Sequence, residues 1–344
     1  MPNLIEDRSW AGKVVVVTGA SAGVGRATAR LFSKRGASVG LIARDAKALD
    51  ATRDELRAVG GGPTLAISAD VADADAIRNA ASEIENSFGP IDVWVNNAMA
   101  TVFSPVSAIT PQEFRRVTEV TYLGAVHGTM AALRSMRQRN RGVIVQVGSA
   151  LAYRSIPLQA AYCGAKHAIR GFTDSLRCEL LHDNSNIQVV MVQLPAVNTP
   201  QFDWARAHLD HTPRPAGPVL QPEAVARRIV EAAARPTREV WLGASTLQSI
   251  LGNIVMPSVL DRLLSRRAYG GQLTDHRISP SRADNLTTPV NGLHRSRGSF
   301  ADAAAEWDWA LTGRQARTAV GVLLAAGLAA AFMSGRHTRQ RPLW

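Results

Sequence analysis

KVVVVTGASAGVGRATARL, residues Lys13–Leu31, reads as strand, turn and helix in immediate succession. Lys13–Thr18 is a continuous β-branched run, the composition of a parallel strand buried on both faces. Gly19, Gly23 and Gly25, with Ser21 and Val24 between them, let the backbone turn sharply and approach a pyrophosphate. Val24, Ala27 and Leu31 share one face of the helix that follows, and the free N–H groups at its start suit an anion. This order points to a dinucleotide at the switch point of a doubly wound, mostly parallel α/β sheet.

The rest of the chain extends that pattern. The strand Ser38–Ala43 ends in Arg44-Asp45; a carboxylate at such an end takes the ribose hydroxyls of NAD, and an arginine accommodates the extra phosphate of NADP. Thr64–Ser68 is a third strand, followed by Asp70-Val71 and a helix, Ala74–Phe88, which Asp70 could equally serve as an ordinary N-cap. Ile91–Val95 runs into Asn96-Asn97-Ala98-Met99. A long helix is expected over Pro111–Gln138. Gly142–Gly148 is an apolar strand ending on Ser149, and Gln159–Leu181 reads as a helix carrying Tyr162 and Lys166. Those two side chains, four residues apart, share a helical face. A free phenol, near pKa ~10, is a poor proton donor or acceptor at neutral pH, and a neighbouring ammonium draws it toward the working range. The bare pair is common on helix surfaces; Ser149 and the glycine-rich turn select the catalytic reading. Ile187–Leu194 and Glu239–Gly243 are further strands, Gln221–Ala234 a helix, and Gln201–Val219, with Phe202, Trp204 and several prolines, a connection.

On these residues the chain resembles the classical short-chain dehydrogenase/reductase family, whose glycine turn is written TGxxxGxG, from about Trp10 to Ser245. The resemblance implies a Rossmann-like fold and an oxidoreductase that reduces a carbonyl or oxidises an alcohol with pro-S hydride transfer. Tyr162 would move the proton, Lys166 would lower its pKa and hold the nicotinamide ribose, and Ser149 would orient the substrate oxygen. Cofactor contacts are implied for Gly19, Ser21, Gly23, Val24, Gly25, Asp70, Val71, Asn97, Tyr162, Lys166, Val197 and Thr199. Ala43 stands where the NAD-selecting acid normally lies and Arg44 is the usual phosphate partner, so NADP(H) is favoured. Asp45 keeps NAD open, and Ala22 lacks the base that many NADP users carry. Met99 replaces a glycine near the nicotinamide, and Ala196 replaces another in Pro195–Pro200. Thr121 stands where the family has the asparagine that anchors a water beside the catalytic lysine, which puts the proton relay in question. Leu151, Tyr153, Ile156 and Leu158 are candidates to line an apolar substrate pocket. A homo-oligomer is implied, and no metal.

Length and charge complete the picture. The 344 residues, 46% hydrophobic, accommodate a catalytic domain over 1–245 and an appendage. Cys163 and Cys178, ~22 Å apart on one helix, cannot bridge, which fits free thiols in a reducing, cytoplasmic setting. Met1–Trp10 has no apolar signal core. Of the formal charge of +11, the excess concentrates late: beyond Ser245 twelve arginines stand against six acidic residues. No nucleic-acid reading motif accompanies it. Leu247–Leu264 is expected to pack as a helix and Thr274–Ser299 to be a linker within a basic extension, 246–317. Thr318–Gly335 is uncharged between arginines; as a helix of ~27 Å it falls just short of a ~30 Å hydrocarbon core. No acidic residue follows Asp308, and the cationic flanks suit anionic headgroups. It is therefore expected to attach the protein to a membrane, as a transmembrane helix or lying in the interface, and a packing helix is the alternative. A rival reading keeps the fold as a nucleotide-sensing or membrane-attached scaffold with catalysis weakened at Thr121.

Overall fold

Valines place the centre of the sheet. In β1, Val14–Thr18, every residue is buried; Val15 and Val17 enter one core while Val14 and Val16 enter the other, as a two-residue period dictates. The structure, a computed structural model, describes residues 9–307, 309–315 and 318. Seven further strands complete the main sheet: β2 Ser38–Ala43, β3 Thr64–Ser68, β4 Val93–Asn96, β5 Val143–Val147, β6 Gln188–Gln193, β7 Glu239–Leu242 and β8 Ala310–Thr312. Their spatial order is β3-β2-β1-β4-β5-β6-β7-β8. All neighbours are parallel except β8, which runs antiparallel to β7. Chain order reverses between β1 and β4, so the switch-point crevice opens at their C-terminal ends. The Rossmann-like class read from the sequence is the one observed.

The helices are α1 Gly23–Lys34, α2 Ala46–Ala58, α3 Ala74–Phe88, α4 Pro111–Thr118, α5 Gly124–Arg139, α6 Ala160–His182, α7 Gln201–Trp204, α8 Pro222–Ala234, α9 Gly243–Val255 and α10 Pro257–Gly271. α1, α2 and α8 cover one face of the sheet, with Phe32, Leu49, Leu56 and Ile229 fully or almost fully buried. α3, α5 and α6 cover the other through Ile77, Ile84, Met136 and Leu180. Each large side chain so buried contributes about 1.5–3 kcal/mol of transfer free energy.

The expected single helix Pro111–Gln138 is three pieces. It starts on a capping box, with Thr110 Oγ1 accepting from Glu113 N and Glu113 Oε2 accepting from Thr110 N, and a π turn at Glu119–Leu123 separates α4 from α5. Leu247–Leu264 is likewise broken, because Pro257 has no N–H to continue the ladder.

The stretch beyond Ser245 is threaded back through the domain. Leu273–Arg277, which overlaps the start of the expected linker, pairs with His211–Pro213. Ala304–Ala305 pairs with Val219–Leu220, which pairs in turn with Ala196–Val197. β8 then satisfies the open edge of β7, an edge whose unpaired groups would otherwise invite association. Thr318–Gly335 lies outside the described residues but for Thr318, and among the described residues no helix is long and apolar enough to cross a membrane.

Candidate active site

At the C-terminal end of β1 the chain turns at Gly19, φ +67°, where a Cβ would sit 2.9 Å from Ala98 Cα. Gly25 is tighter still, with a Cβ 2.2 Å from the Gly19 carbonyl oxygen. Asn97 fastens the turn to β4, its Nδ2 donating to Thr18 O at 3.0 Å and its backbone N–H to Thr18 Oγ1 at 3.0 Å. Asn96 faces away, donating to Thr129 Oγ1 at 3.0 Å and accepting from Trp94 Nε1 at 2.8 Å. The Val24 and Gly25 amides in the first turn of α1 have no acceptor among the described residues. Open N–H groups at a helix start, a backbone with no room for Cβ atoms and a cleft beside them fit a dinucleotide pyrophosphate.

That cleft is a cavity of about 480 Å³. Gly19, Ser21, Gly23, Val24, Arg44, Asp70, Val71, Asn97, Val197 and Thr199 all line it, together with Ser149, Tyr162, Lys166 and Met99. Gly25 does not; it acts through the turn it closes.

The chemical groups converge from two elements. Ser149 follows β5 and caps a short 3₁₀ turn, its Oγ accepting from Leu151 N at 3.1 Å, while its own N–H donates to Gln193 Oε1 at 2.9 Å. Tyr162 lies in the first turn of α6. Burial drives its phenol well above the ordinary tyrosine range, and the hydrogen bond with Ser149 offsets part of that rise. The expected lowering by Lys166 does not govern here. Lys166 Nζ sits 5.5 Å from the Tyr162 ring centroid and donates to Val147 O at 2.7 Å, and burial pushes its own pKa down to about 8. Tyr162 therefore rests protonated, the state of a proton donor.

Three expected positions fall elsewhere. Thr121, in the π turn, is fully buried. Its hydroxyl donates to Ala100 O and accepts from Ala100 N, both at 2.9 Å, and it does not line the cavity. A hydroxyl has one hydrogen to give, and this one is committed to tying the strand-end loop to the helix. Tyr153 turns from the cavity to donate to Glu239 Oε1 at 2.6 Å. Leu158, at φ +68°, is buried away from the cavity; only Leu151 and Ile156 of the four pocket candidates line the space.

The sequence reading missed one whole wall. Leu264 and Ala268 of α10 line the cavity, as do Asn285, Pro289, Val290 and His294 from the stretch beside Arg44 and Asp45. Asp45 is occupied there as well: Oδ1 accepts from Ala48 N at 3.1 Å as the α2 cap, and Oδ2 lies 3.0 Å from His294 Nε2. With both oxygens engaged it is poorly placed to take a ribose diol. Leu264 ends the helix expected over Leu247–Leu264, but no periodic pattern marks Asn285, Pro289, Val290 and His294 as part of a cleft wall.

Comparison with known proteins gives the family. The chain is 31% identical over 284 residues to the uncharacterized oxidoreductase YxnA of Bacillus subtilis, covering 82% of this chain and 80% of that protein. It is 38% identical to dehydrogenase/reductase SDR family member 7B of Mus musculus, over 54% of this chain and 58% of the relative. Among solved structures, a metagenomic short-chain oxidoreductase in complex with NADP superposes with a TM-score of 0.57 at 28% identity, covering 67% of this chain and 96% of that one. An alcohol dehydrogenase from Thermococcus sibiricus complexed with 5-hydroxy-NADP gives a TM-score of 0.58 at 26% identity, over 67% of this chain and 95% of that one. The short chain dehydrogenase model matches residues 13–209, and the chain belongs to that family of NAD(P)-dependent oxidoreductases.

Proposed function

We propose that the protein reduces a carbonyl, or oxidises the corresponding alcohol, with NADP(H) and on an apolar substrate. The observation that carries this reading is the meeting of Ser149, Tyr162 and Lys166 in the same cavity as the glycine-rich turn. Gly19, Gly23, Val24 and Asn97 would hold the dinucleotide backbone, Arg44 its 2′-phosphate, and Val197 and Thr199 the nicotinamide side. When bound, the nicotinamide supplies or takes up the hydride. The protein's own part is to hold the substrate oxygen against the Ser149 hydroxyl and to pass it the Tyr162 proton. Met99, Leu151, Ile156 and Leu264 give the substrate end its apolar character. NADPH consumption with a panel of ketones, aldehydes and long-chain carbonyls tests the reading, and turnover should favour the apolar members. No consumption with any of them, in a protein that binds NADPH, would overturn it.

Cofactor choice should rest on Arg44. Charge-assisted bonds to a 2′-phosphate are worth about 1.5–3 kcal/mol, or roughly one to two decades in affinity. Arg44→Ala should weaken NADPH by that much more than NADH, and titrating both nucleotides against both proteins checks it. Equal losses would move the discrimination elsewhere.

The alkaline limb should belong to Lys166. Its pKa lies near 8 in the free protein, below the ordinary lysine value, so its ammonium is present below that pH and lost above it. kcat/KM reports groups of the free enzyme and should therefore fall as pH rises through about 8. A profile flat to pH 10 would assign the limb to another group.

A further inference from the structure

The segment after α10 takes no part in the chemistry above, yet it is tied to the cleft at three successive places. At the first, the Arg44 guanidinium donates to the carbonyls of Asn285, Leu286 and Thr287. Arg116, paired with Asp70, also donates to Leu286 O at 3.1 Å. At the second, Gly23 N–H donates to Arg295 O at 3.0 Å and Arg26 donates to His294 O at 2.8 Å. At the third, Gly298 N–H donates to Asn198 O at 3.1 Å, and a Cβ on Gly298 would lie 2.4 Å from Thr199 O. Read along the cleft, these are the places assigned to the 2′-phosphate, the pyrophosphate and the nicotinamide side.

The segment spans the cleft without filling it. Space remains between Gly19, Val24 and Val71 on one side and Asn285, Val290 and His294 on the other, and the Val24 and Gly25 amides stay open. One polar atom of the segment is also unsatisfied. His294 Nε2 lies 2.8 Å from Val290 O and 3.0 Å from Asp45 Oδ2. Both are acceptors, so in the neutral ring Nε2 carries the hydrogen. Nδ1 is then left as an acceptor, buried and without a partner among the described residues. A buried acceptor beside a cavity calls for a donor such as a ribose hydroxyl.

We infer that residues 285–298 are the outer wall of the dinucleotide site: the cofactor lies between this strap and the glycine-rich turn, and leaves only when the strap lifts. The inference rests on the cleft being a dinucleotide site, as proposed above. Arg282 anchors the strap's start, donating to the carbonyls of Phe202, Ala205 and Asp203 at 3.0, 2.6 and 3.1 Å. Arg295 anchors its end on Asp203 Oδ2 at 2.9 Å.

Trypsin reads the strap directly at Arg282, Arg295 and Arg297, and native-state cleavage follows the open population. In the full chain, saturating NADPH should slow cleavage at these sites, identified by mass spectrometry, by about tenfold. In Arg282→Ala, NADPH release followed by stopped-flow fluorescence should accelerate about tenfold, since contacts of this kind act mainly on the off-rate. Binding is read in the same samples from NADPH fluorescence. Absence of binding would remove the dinucleotide reading and the strap's role together. Binding with unchanged cleavage would remove the strap's role alone, as would faster cleavage, the mark of a plug displaced by cofactor. Wild-type release from the variant would also overturn it.

Discussion

Tyr162→Phe should lose turnover by about a thousandfold, within the range that a positioned general acid contributes, while binding NADPH nearly as tightly as the unaltered protein. The ring remains, and it is the ring that packs against the core formed by α3, α5 and α6. What disappears is the proton that burial keeps on the phenol oxygen. Ser149 cannot substitute, because its hydroxyl is a far weaker acid than a phenol. Tyr153 cannot either, since its hydroxyl is given to Glu239. Fluorescence titration of the cofactor and steady-state turnover, measured on one preparation, separate the two effects. Turnover within tenfold of the unaltered protein would remove Tyr162 from the role of donor.

Burial and charge compete at this site, and the order of their magnitudes sets the resting state. A lysine beside a phenol lowers the phenol's pKa only where its attraction for the phenolate outweighs the desolvation of the charged forms. Here both groups are taken out of water, and desolvation is the largest influence on each. It raises the one and lowers the other, which moves both toward their neutral forms. In the reduction proposed above the phenol would therefore start with its proton in place, and Lys166 is held by its bond to Val147 O.

The sheet was legible because its signal is carried by side chains. Runs such as VVVVT and the paired asparagines at the end of β4 are written in residue types that do nothing else so well. Ser38–Ala43 and Thr64–Ser68 were bounded to the residue for the same reason. The strap was illegible because its partners are backbone carbonyls, which every residue possesses. Arg44 reads as a phosphate ligand from its place after β2, and nothing in Asn285-Leu286-Thr287 announces that those carbonyls meet its guanidinium. Thr121 misled in the opposite direction: its hydroxyl, in the π turn, bonds Ala100 rather than facing the cleft, and no residue type announces a single π turn inside a helix.

Gly25→Ala and Gly164→Ala should differ in sign, although both place a methyl group on a helix beside the same cleft. At Gly25 the new Cβ would stand 2.2 Å from Gly19 O and 2.5 Å from Asn97 Nδ2. Neither neighbour can give way. Gly19 is held at φ +67° against Ala98, and Asn97 is held by its bonds to Thr18. Relief requires the turn to separate from β4, which withdraws the open N–H groups from the cofactor; overpacking of this kind costs about 1–3 kcal/mol or more. NADPH affinity should fall by about a hundredfold, the equivalent of about 2.7 kcal/mol. Gly164 lies on α6 between Tyr162 and Lys166, where an added Cβ meets nothing within 4 Å. Alanine there removes only the helix cost of glycine, about 0.5–1 kcal/mol, and should stabilise the protein with affinity unchanged. Urea unfolding and NADPH titration of the two variants read both effects. Equal behaviour would mean that the turn is not held against Asn97, and the account of how the chain cradles its cofactor would fall with it.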